Sequence, residues 1–412
     1  MTSSLRCNLC STPLEHVAVD LGMSPLVSSY IRPDETQQPE RFYPLRVFVC
    51  RSCLLVQLPP AQTPEELFSD YPYFSSYSSS WLRHAKGYVD SMMARFHYGS
   101  DSQVIEIASN DGYLLQYFKA LNVPVRGIEP AANVAKVAQA SGIPTTVAFF
   151  GAETARRVAR DTGQADLIVG NNVLAHVPDL NDFVGGLKLL IKPGGVITME
   201  FPHVLRLMES NQFDTIFHEH FSYLSLLTVR ALFVKHQLAI FDCEELGTHG
   251  GSLRIFACHS ENMAHSVAPG VARVLAEETR AGLDDADSYS SLGEKARLVK
   301  QRLLTFLIQA KTEGRSVVGY GAPGKGSVLL NYCGIRTDFL DYTVDRSPHK
   351  QGLLMPGVHV PIEHPDRIRE TRPYYVLILP WNLRDEIVEQ MTFIKDWGGR
   401  FIVPIPTVEV VP

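Results

Sequence analysis

Four short apolar runs recur between residues 103 and 260: Val104-Ile-Glu-Ile107, Val125-Arg-Gly-Ile128, Leu167-Ile-Val169 and Val196-Ile-Thr-Met199. Helical stretches separate them, so they read as parallel strands joined by crossover helices. Two further strand candidates, residues 238–246 and 253–258, flank Thr248-His-Gly-Gly251 and predict a closing hairpin. A Pro-Gly-Gly turn is expected at 193–195. Residues 262–313 carry Ala, Leu, Glu and Arg at helical spacing and connect to a second α/β stretch. That stretch opens at Ser316-Val-Val-Gly-Tyr-Gly321, with strands expected at 339–344, 375–379 and 401–403. Ahead of the first α/β stretch, residues 1 to about 65 hold short strand-like pieces and a polar loop at 32–39. At 412 residues, with roughly 150 per domain, the chain has room for two or three domains.

Cys7-Asn-Leu-Cys10 and Cys50-Arg-Ser-Cys53 form two C-x-x-C knuckles. Thiols stay reduced in a cytosolic chain, so paired knuckles read as metal ligands, and four thiolates make the closed tetrahedral shell of a structural Zn2+. The 39 residues between Cys10 and Cys50 exceed the usual ribbon spacing, which keeps a redox pair or packed core thiols as alternatives. Cys243, Cys258 and Cys333 lack such spacing and read as core residues. The charge of −6, from 38 Lys and Arg against 44 Asp and Glu, gives no basic face for nucleic acid. No run approaches the roughly 20 apolar residues a bilayer needs, and the first ten residues hold no signal-peptide core. No membrane partner and a cytoplasmic location are expected.

Residues 104–113, Val-Ile-Glu-Ile-Ala-Ser-Asn-Asp-Gly-Tyr, read as a strand, a turn and a helix start. Small residues there let backbone amides approach a ligand at the strand's carboxyl end, where open α/β sheets bind cofactors. Glu129 ends the next strand 23 residues after Glu106 and can accept both hydroxyls of a ribose. Asn171 and Asn172 end the third run, and Glu200 the fourth. The order resembles the class I S-adenosylmethionine-dependent methyltransferases, although Ala108 and Ser109 stand where glycines are common. A plain nucleotide-binding sheet is the alternative. The resemblance implies a cofactor set of Glu106, Ala108, Asn110, Gly112, Tyr113, Glu129, Pro130, Asn133, Asn171, Asn172 and His176.

Further motifs follow in one order. They are Asn171-Asn-Val-Leu-Ala-His-Val-Pro-Asp179, Phe217-His-Glu-His-Phe-Ser-Tyr223, His249-Gly-Gly-Ser-Leu-Arg254, Gly319-Tyr-Gly-Ala-Pro-Gly-Lys-Gly326, Asn331-Tyr-Cys-Gly334, Val344-Asp-Arg346 and Leu379-Pro-Trp-Asn-Leu383. With the knuckles, this series resembles the zinc-containing sugar C-methyltransferases that act on nucleotide-linked keto-deoxysugars. The resemblance implies an α/β protein with three parts. A small zinc-binding module spans 1–70, and a class I methyltransferase Rossmann-like domain with a helical lead-in spans 71–260. A helical connector and a C-terminal Rossmann-like α/β domain, contributing to the substrate cleft, span 261–412. It implies S-adenosyl-L-methionine and structural Zn2+ as cofactors, a small-molecule acceptor and a monomer. It also implies His220 as the base, Glu219 as the adjoining acid and a positioning Tyr at 73, with Tyr71 and Tyr77 as alternatives. Tyr71, Phe217, His218, Lys325 and Ser327 would face the acceptor. Family members often carry Tyr where this chain has Phe217, so one hydroxyl that could bind the sugar or stabilise an enolate is missing.

The chemistry suits these residues. Methylating a carbon beside a ketone requires removal of a C–H proton, an enolate, and in-line attack on the sulfonium methyl; neutral imidazole is a suitable base near pH 7. Two other readings compete: a methyltransferase of the same build with a non-sugar or oxygen acceptor, and an NAD(P)-dependent oxidoreductase. The latter would use Gly319-x-Gly-x-x-Gly324 with Asp345, 21 residues on. A degenerate loop whose Lys325 and Ser327 approach the acceptor is the reading preferred here.

Overall fold

The computed structural model describes residues 5–69 and 74–411, so Tyr71 and Tyr73 lie outside the described residues. The chain divides into two compact units, each discontinuous in sequence. The first comprises Met1–Leu14, Cys50–Val204 and Phe221–Asp285; the second comprises Glu15–Val49, Leu205–His220 and Ala286–Pro412.

The first unit is built on a sheet of seven strands among the described residues. From one edge these are Leu238–Leu246, Ser252–His259, Ile191–Pro202, Ala165–Asn171, Val104–Ile107, Val125–Glu129 and Thr145–Val147. Strand Ser252–His259 runs antiparallel to both its neighbours, and the five on its far side are parallel. Ranked by their own sequence order the strands read 3-2-1-4-5-7-6, the class I methyltransferase order. The order reverses between Val104–Ile107 and Ala165–Asn171, and a doubly wound sheet opens its ligand site beyond the carboxyl ends there.

All four expected runs are strands, and the closing hairpin is present. The expected Pro-Gly-Gly turn is a bulge inside Ile191–Pro202: Ala165 pairs with Ile191 but Leu167 pairs with Val196, so the intervening residues bow out of register. The edge strand Thr145–Val147 gave no sequence signal, because three residues are too few to show a period.

Helix Ser79–Phe96 packs on this sheet. The Ser78 hydroxyl accepts the Trp81 N–H at 3.3 Å and caps its start, and His97 in the left-handed region ends it. Ala85, Tyr88, Val89 and Met92 are its buried positions, the helical stripe that meets Val104, Leu167, Val196 and Phe256.

Helix Leu226–Lys235 begins on a buried carboxylate. Glu278 accepts the N–H groups of Leu226 (2.6 Å) and Leu227 (2.8 Å), and His203 Nε2 at 2.6 Å. The Ser225 hydroxyl accepts the Thr228 N–H, so three first-turn donors are satisfied inside the core.

The second unit carries a six-stranded sheet among the described residues. Its order is Ile362–Glu363, Thr343–Val344, Val317–Tyr320, Tyr375–Ile378, Arg400–Val403 and Glu409–Val411, parallel except for the last strand. The expected strand at 339–344 shortens to Thr343–Val344, because Phe339 and Leu340 turn back to donate to the Arg336 carbonyl. An antiparallel hairpin, Val17–Ser24 with Tyr43–Val49, belongs to this unit, and a short 3-10 turn, Pro33–Glu35, lies in the expected loop. No helix among the described residues is long and apolar enough to cross a membrane.

Both side chains of the His203–Glu278 pair are fully shielded from water. Removing one member strands the other and two helix amides. Glu278→Ala is therefore expected to lose about 3–5 kcal/mol of unfolding free energy in urea titrations, and Glu278→Gln less.

Candidate functional site

The four knuckle cysteines converge. Their Sγ atoms lie within 4.8 Å of one another, with Cys7–Cys53 at 3.4 Å and Cys10–Cys50 at 3.5 Å. That spacing suits four thiolates at about 2.3 Å from one tetrahedral Zn2+. The hydrogen bond from the Cys53 thiol, opposed by burial and assisted by Gln57 and backbone N–H groups, pushes the Cys7 thiol down to about 4. Gln57 is buried beside it, donating Nε2–H to Cys7 Sγ at 3.2 Å and accepting the Asn8 N–H at 2.9 Å. Asn181 and Lys235 donate to the Asn8 and Leu9 carbonyls, which ties the first knuckle to helices Leu180–Leu190 and Leu226–Lys235.

At the carboxyl ends of the first sheet, the turn after Val104–Ile107 takes a glycine-like path without the usual glycines. Ala108 (φ 55°) and Asn110 (φ 49°) sit in the left-handed region, and Gly112 (φ 82°) follows. A left-handed alanine costs about 1–2 kcal/mol, so the surroundings hold this loop in shape. Glu129 does much of that: its carboxylate accepts the Asn110 N–H and the Ala131 N–H, each at 2.9 Å. Each oxygen keeps a second lone pair that a ribose hydroxyl can use. Opposite, a Cβ on Gly127 would stand 2.3 Å from Ser109 Oγ, so the second strand must be bare there.

Glu106 is wholly buried, and burial pushes its carboxyl well above the ordinary range, with the charges of Asp111 and Glu129 adding and a hydrogen bond to Tyr113 opposing. Asn171, also buried, finds no partner for either amide atom among the described residues. A buried acid and an orphaned amide beside amide-lined backbone fit a ligand carrying a cation, a carboxylate and a ribose. Pro130 and Asn133 border the Glu129 side at the start of helix Ala132–Ala140, and His176 meets Phe68 edge-on at 5.6 Å.

The Tyr-rich segment reaches this loop. Asn110 Oδ1 accepts the Ser75 N–H (2.9 Å) and Asp111 Oδ2 accepts the Ser76 N–H (3.1 Å). Tyr77 is exposed, stacked on Phe74 at 5.5 Å.

The next strand end carries residues to which the motifs gave no role. Glu200 is fully buried and accepts Arg254 Nη2 at 2.7 Å, Thr248 Oγ1 at 3.0 Å and His84 Nε2 at 2.9 and 3.0 Å. Burial would push its carboxyl up, but hydrogen bonds and charge from His84 and Arg254 outweigh burial and hold it below the ordinary range. Trp81 lies flat on His84 (4.8 Å) and on Tyr113 (6.0 Å), and His249 meets Trp81 edge-on and Asn172 Nδ2 at 3.0 Å. His84 and Trp81 had no signal in one sequence, since an isolated W-x-x-H on a helix matches no motif.

In the second unit, His220 holds its Nδ1 at 2.9 Å from the Thr215 carbonyl, the distance of an N–H donor, which leaves the neutral ring's lone pair on Nε2. Phe217 packs on that ring at 4.0 Å. Glu219 is buried. His218 turns inward to the Pro44 carbonyl (3.3 Å) and Tyr43, and burial lowers its basicity; the geometry makes it a core residue rather than the expected acceptor contact.

Models of three families match the chain in succession: a zinc binding domain at residues 7–68, a methyltransferase domain at 81–242, and the C-methyltransferase C-terminal domain at 247–406. The C-methyltransferase NovU of Streptomyces niveus is 35% identical over 98% of this chain and 96% of its own length. The chain belongs to the C-methyltransferase family. A ubiquinone biosynthesis O-methyltransferase of Cupriavidus pinatubonensis is 30% identical over 23% of this chain and 38% of its own. The magnesium protoporphyrin IX methyltransferase of Synechocystis PCC 6803 superposes with a TM-score of 0.33 at 14% identity, covering 43% of this chain and 79% of that one. The C-methyltransferase thus binds S-adenosylmethionine and carries a four-cysteine zinc site, and its family does not support the oxidoreductase alternative.

The rival glycine loop of this C-methyltransferase is closed from within. Asp345 accepts the N–H groups of Ala322 (2.7 Å) and Ser347 (2.8 Å), and Tyr30 and Lys350 both donate to the Ala322 carbonyl. A Cβ on Gly324 would already press Val27 at 3.0 Å, where a pyrophosphate would need to approach. Ser327 is fully buried in helix Gly324–Cys333, its hydroxyl 3.4 Å from Asn331 Nδ2, which corrects its expected acceptor role. Lys325 donates to Asn382 at 2.8 Å and lies over Trp381, with burial lowering its basicity and Asp214 opposing.

Metal analysis is expected to give about one zinc per chain, lost in the Cys7→Ser, Cys50→Ser double variant; zinc retained there would refute the four-thiolate site. Asp214, wholly buried against Trp381 Nε1 at 2.7 Å, has its carboxyl pushed up to about 7 by burial, with Lys325 opposing. The unfolded carboxyl loses its proton near pH 4, so wild-type stability falls by a few kcal/mol as pH rises from about 4 to 7. Asp214→Asn is therefore expected to unfold at higher urea than wild type at pH 8, the gap closing near pH 4.

Proposed function

We propose that this C-methyltransferase transfers a methyl group to a carbon beside the ketone of a nucleotide-linked deoxysugar, with His220 as the base. The observation that carries the reading is the His220 tautomer: Nδ1–H on the Thr215 carbonyl leaves Nε2 as the proton acceptor. It stands in Phe217-His-Glu-His220, within an ordered motif series that resembles the sugar C-methyltransferases. By role, the chain divides into zinc-binding (1–70), methyl-donor (71–260) and acceptor-binding (261–412) segments.

S-adenosylmethionine, when bound, supplies an electrophilic methyl. The protein's task is to make the acceptor carbon nucleophilic. His220 Nε2 takes the C–H proton; that bond pair becomes the enolate double bond, and the carbonyl pair moves to oxygen. As the enolate carbon takes up the methyl and the ketone re-forms, the methyl–sulfur bond breaks and its electron pair stays on sulfur, which leaves as the neutral thioether. Phe217 walls the imidazole with a ring and contributes no hydroxyl, which keeps water from the base and leaves the enolate oxygen to another donor. Glu129 and the turn at Ala108–Asn110 would hold the donor's ribose side, and Glu106 and Asn171 would serve its amino-acid end. The zinc site is closed and holds structure alone.

His220→Ala is expected to bind S-adenosylhomocysteine within about threefold of wild type by calorimetry while losing at least 10²-fold in turnover. Turnover should be assayed with labelled methyl donor and a panel of nucleoside diphosphate-linked keto-deoxysugars, with products read by mass spectrometry. Near-normal turnover of the variant would remove His220 from the mechanism.

A further inference from the structure

We propose that Asp214 is a positioning residue for the base: clamped by Trp381 and Lys325, it fixes the Phe213–Thr215 turn, whose last carbonyl holds His220 in the Nδ1–H tautomer. The assignment rests on the reading of His220 above, and it gives the Gly319–Gly326 and Leu379–Leu383 motifs a task.

Two adjacent strands bring those motifs together. Ranked by their own sequence order, the strands of the second sheet read 3-2-1-4-5-6, and the order reverses between Val317–Tyr320 and Tyr375–Ile378. These two run parallel with Tyr320 opposite Ile378, and the Leu379 N–H extends the ladder to the Tyr320 carbonyl at 3.0 Å. Their following turns leave the sheet side by side, at the edge where a doubly wound sheet usually binds a ligand. Here the glycines draw the two turns together. A Cβ on Gly321, at φ 87°, would stand 2.6 Å from Pro380, and one on Gly326 would stand 3.0 Å from Leu379 Cβ. The acid that meets this edge belongs to the chain itself. Asp214 is fully buried and accepts Trp381 Nε1–H at 2.7 Å. Lys325 sets its positive charge against the same carboxyl, and its ammonium is aimed by Asn382 Oδ1 at 2.8 Å and by the Trp381 ring at 4.6 Å.

The clamp acts on the turn that faces the base. Asp214 is the middle residue of the 3-10 turn Phe213–Thr215. Lys325 and Tyr332 lie two turns apart on one face of helix Gly324–Cys333, and Phe213 meets Tyr332 edge-on at 5.3 Å. One helix face thus receives both Phe213 and Asp214. Thr215 uses its own donors inside the turn, its N–H at 3.0 Å and its hydroxyl at 2.7 Å from the Gln212 carbonyl. Its carbonyl accepts His220 Nδ1–H at 2.9 Å. A carbonyl cannot donate, so a turn held in this place keeps the lone pair of the neutral ring on Nε2. Asp214 is a costly peg, because Oδ1 is buried with no partner among the described residues. An apolar side chain could fill the same space but would leave the indole N–H unanswered. Direction is what the hydrogen bond adds to packing.

Imidazole tautomers are read directly by 15N NMR of histidine-labelled protein at pH 8, where an ordinary imidazole is neutral. The His220 signals are assigned by their loss in His220→Gln, and wild type is expected to show the Nδ1–H form. Trp381→Phe keeps an aromatic ring over Lys325 and removes only the N–H. It is expected to populate both tautomers and to lower kcat by about 10²-fold, with KM for the keto sugar and S-adenosylhomocysteine affinity within about threefold. Asp214→Leu is expected to do the same. Asp214→Asn, whose amide oxygen can accept the indole N–H, is expected to restore the single tautomer and most of kcat. If Asp214→Leu does not fold, Trp381→Phe and Asp214→Asn carry the test. A single Nδ1–H tautomer in Trp381→Phe, or a mixed tautomer with unchanged kcat, would overturn the assignment and make the cluster a structural support. If wild type methylates no sugar of the panel while the tautomer shifts as expected, the enolate reading fails and the positioning of His220 by Asp214 stands.

Discussion

Three carboxyl groups stand toward the carboxyl ends of three strands of one sheet, two of them adjacent, each withdrawn from water, and the arrangement around each decides what that edge of the sheet can do. Glu129 is satisfied by backbone amides, so its charge organises the loop that precedes it in sequence. Glu200 is satisfied by a guanidinium, a hydroxyl and an imidazole, and it orders side chains rather than backbone. Glu106 has the least compensation, and burial pushes its carboxyl well above the ordinary range. A buried acid with few partners is held in place by its fold and becomes favourable once a cation arrives. The parallel sheet supplies this gradation because strand ends at a switch point present side chains to one region from several elements.

Strain and its compensation run through the same region. The turn at Ala108 and Asn110 adopts backbone that glycine would take without penalty, and Glu129 on one side and the Ser75–Ser76 backbone on the other clamp it. Rigidity that a glycine-rich loop would lack is obtained through these clamps. The cysteine site acts similarly at longer range within the unit. Its second knuckle leads into Val56–Gln57, which pairs with Ser222–Tyr223 just after the H-E-H segment. A metal-fixed loop thus anchors the strand that leaves the proposed base.

The two glycine-acid constellations look alike in sequence and differ in packing. Both have an acid about twenty residues past a turn, and both acids accept backbone amides. Around Asp345, Tyr30, Lys350 and Val27 fill the approach, whereas the Glu129 loop is flanked by the Asn171 amide, which has no partner among the described residues. Spacing alone cannot express what stands in front of a loop.

Period and spacing within the chain carried the knuckle cysteines, the four parallel strands, the closing hairpin and the order of motifs. These are local patterns, and local patterns survive in a string of letters. Tertiary structure decided which side chains face one another. Residues 84, 200 and 254 meet because a helix turn and a two-residue strand step have nearly equal lengths. His218 and His220 look equivalent in the letters, yet one is folded into the core against Pro44 and the other keeps a directed tautomer. Ser327 looked like an acceptor contact in the sequence, yet helix packing buries it. The physical reason is common to all three: burial and hydrogen-bond direction are set by neighbours that are distant in sequence.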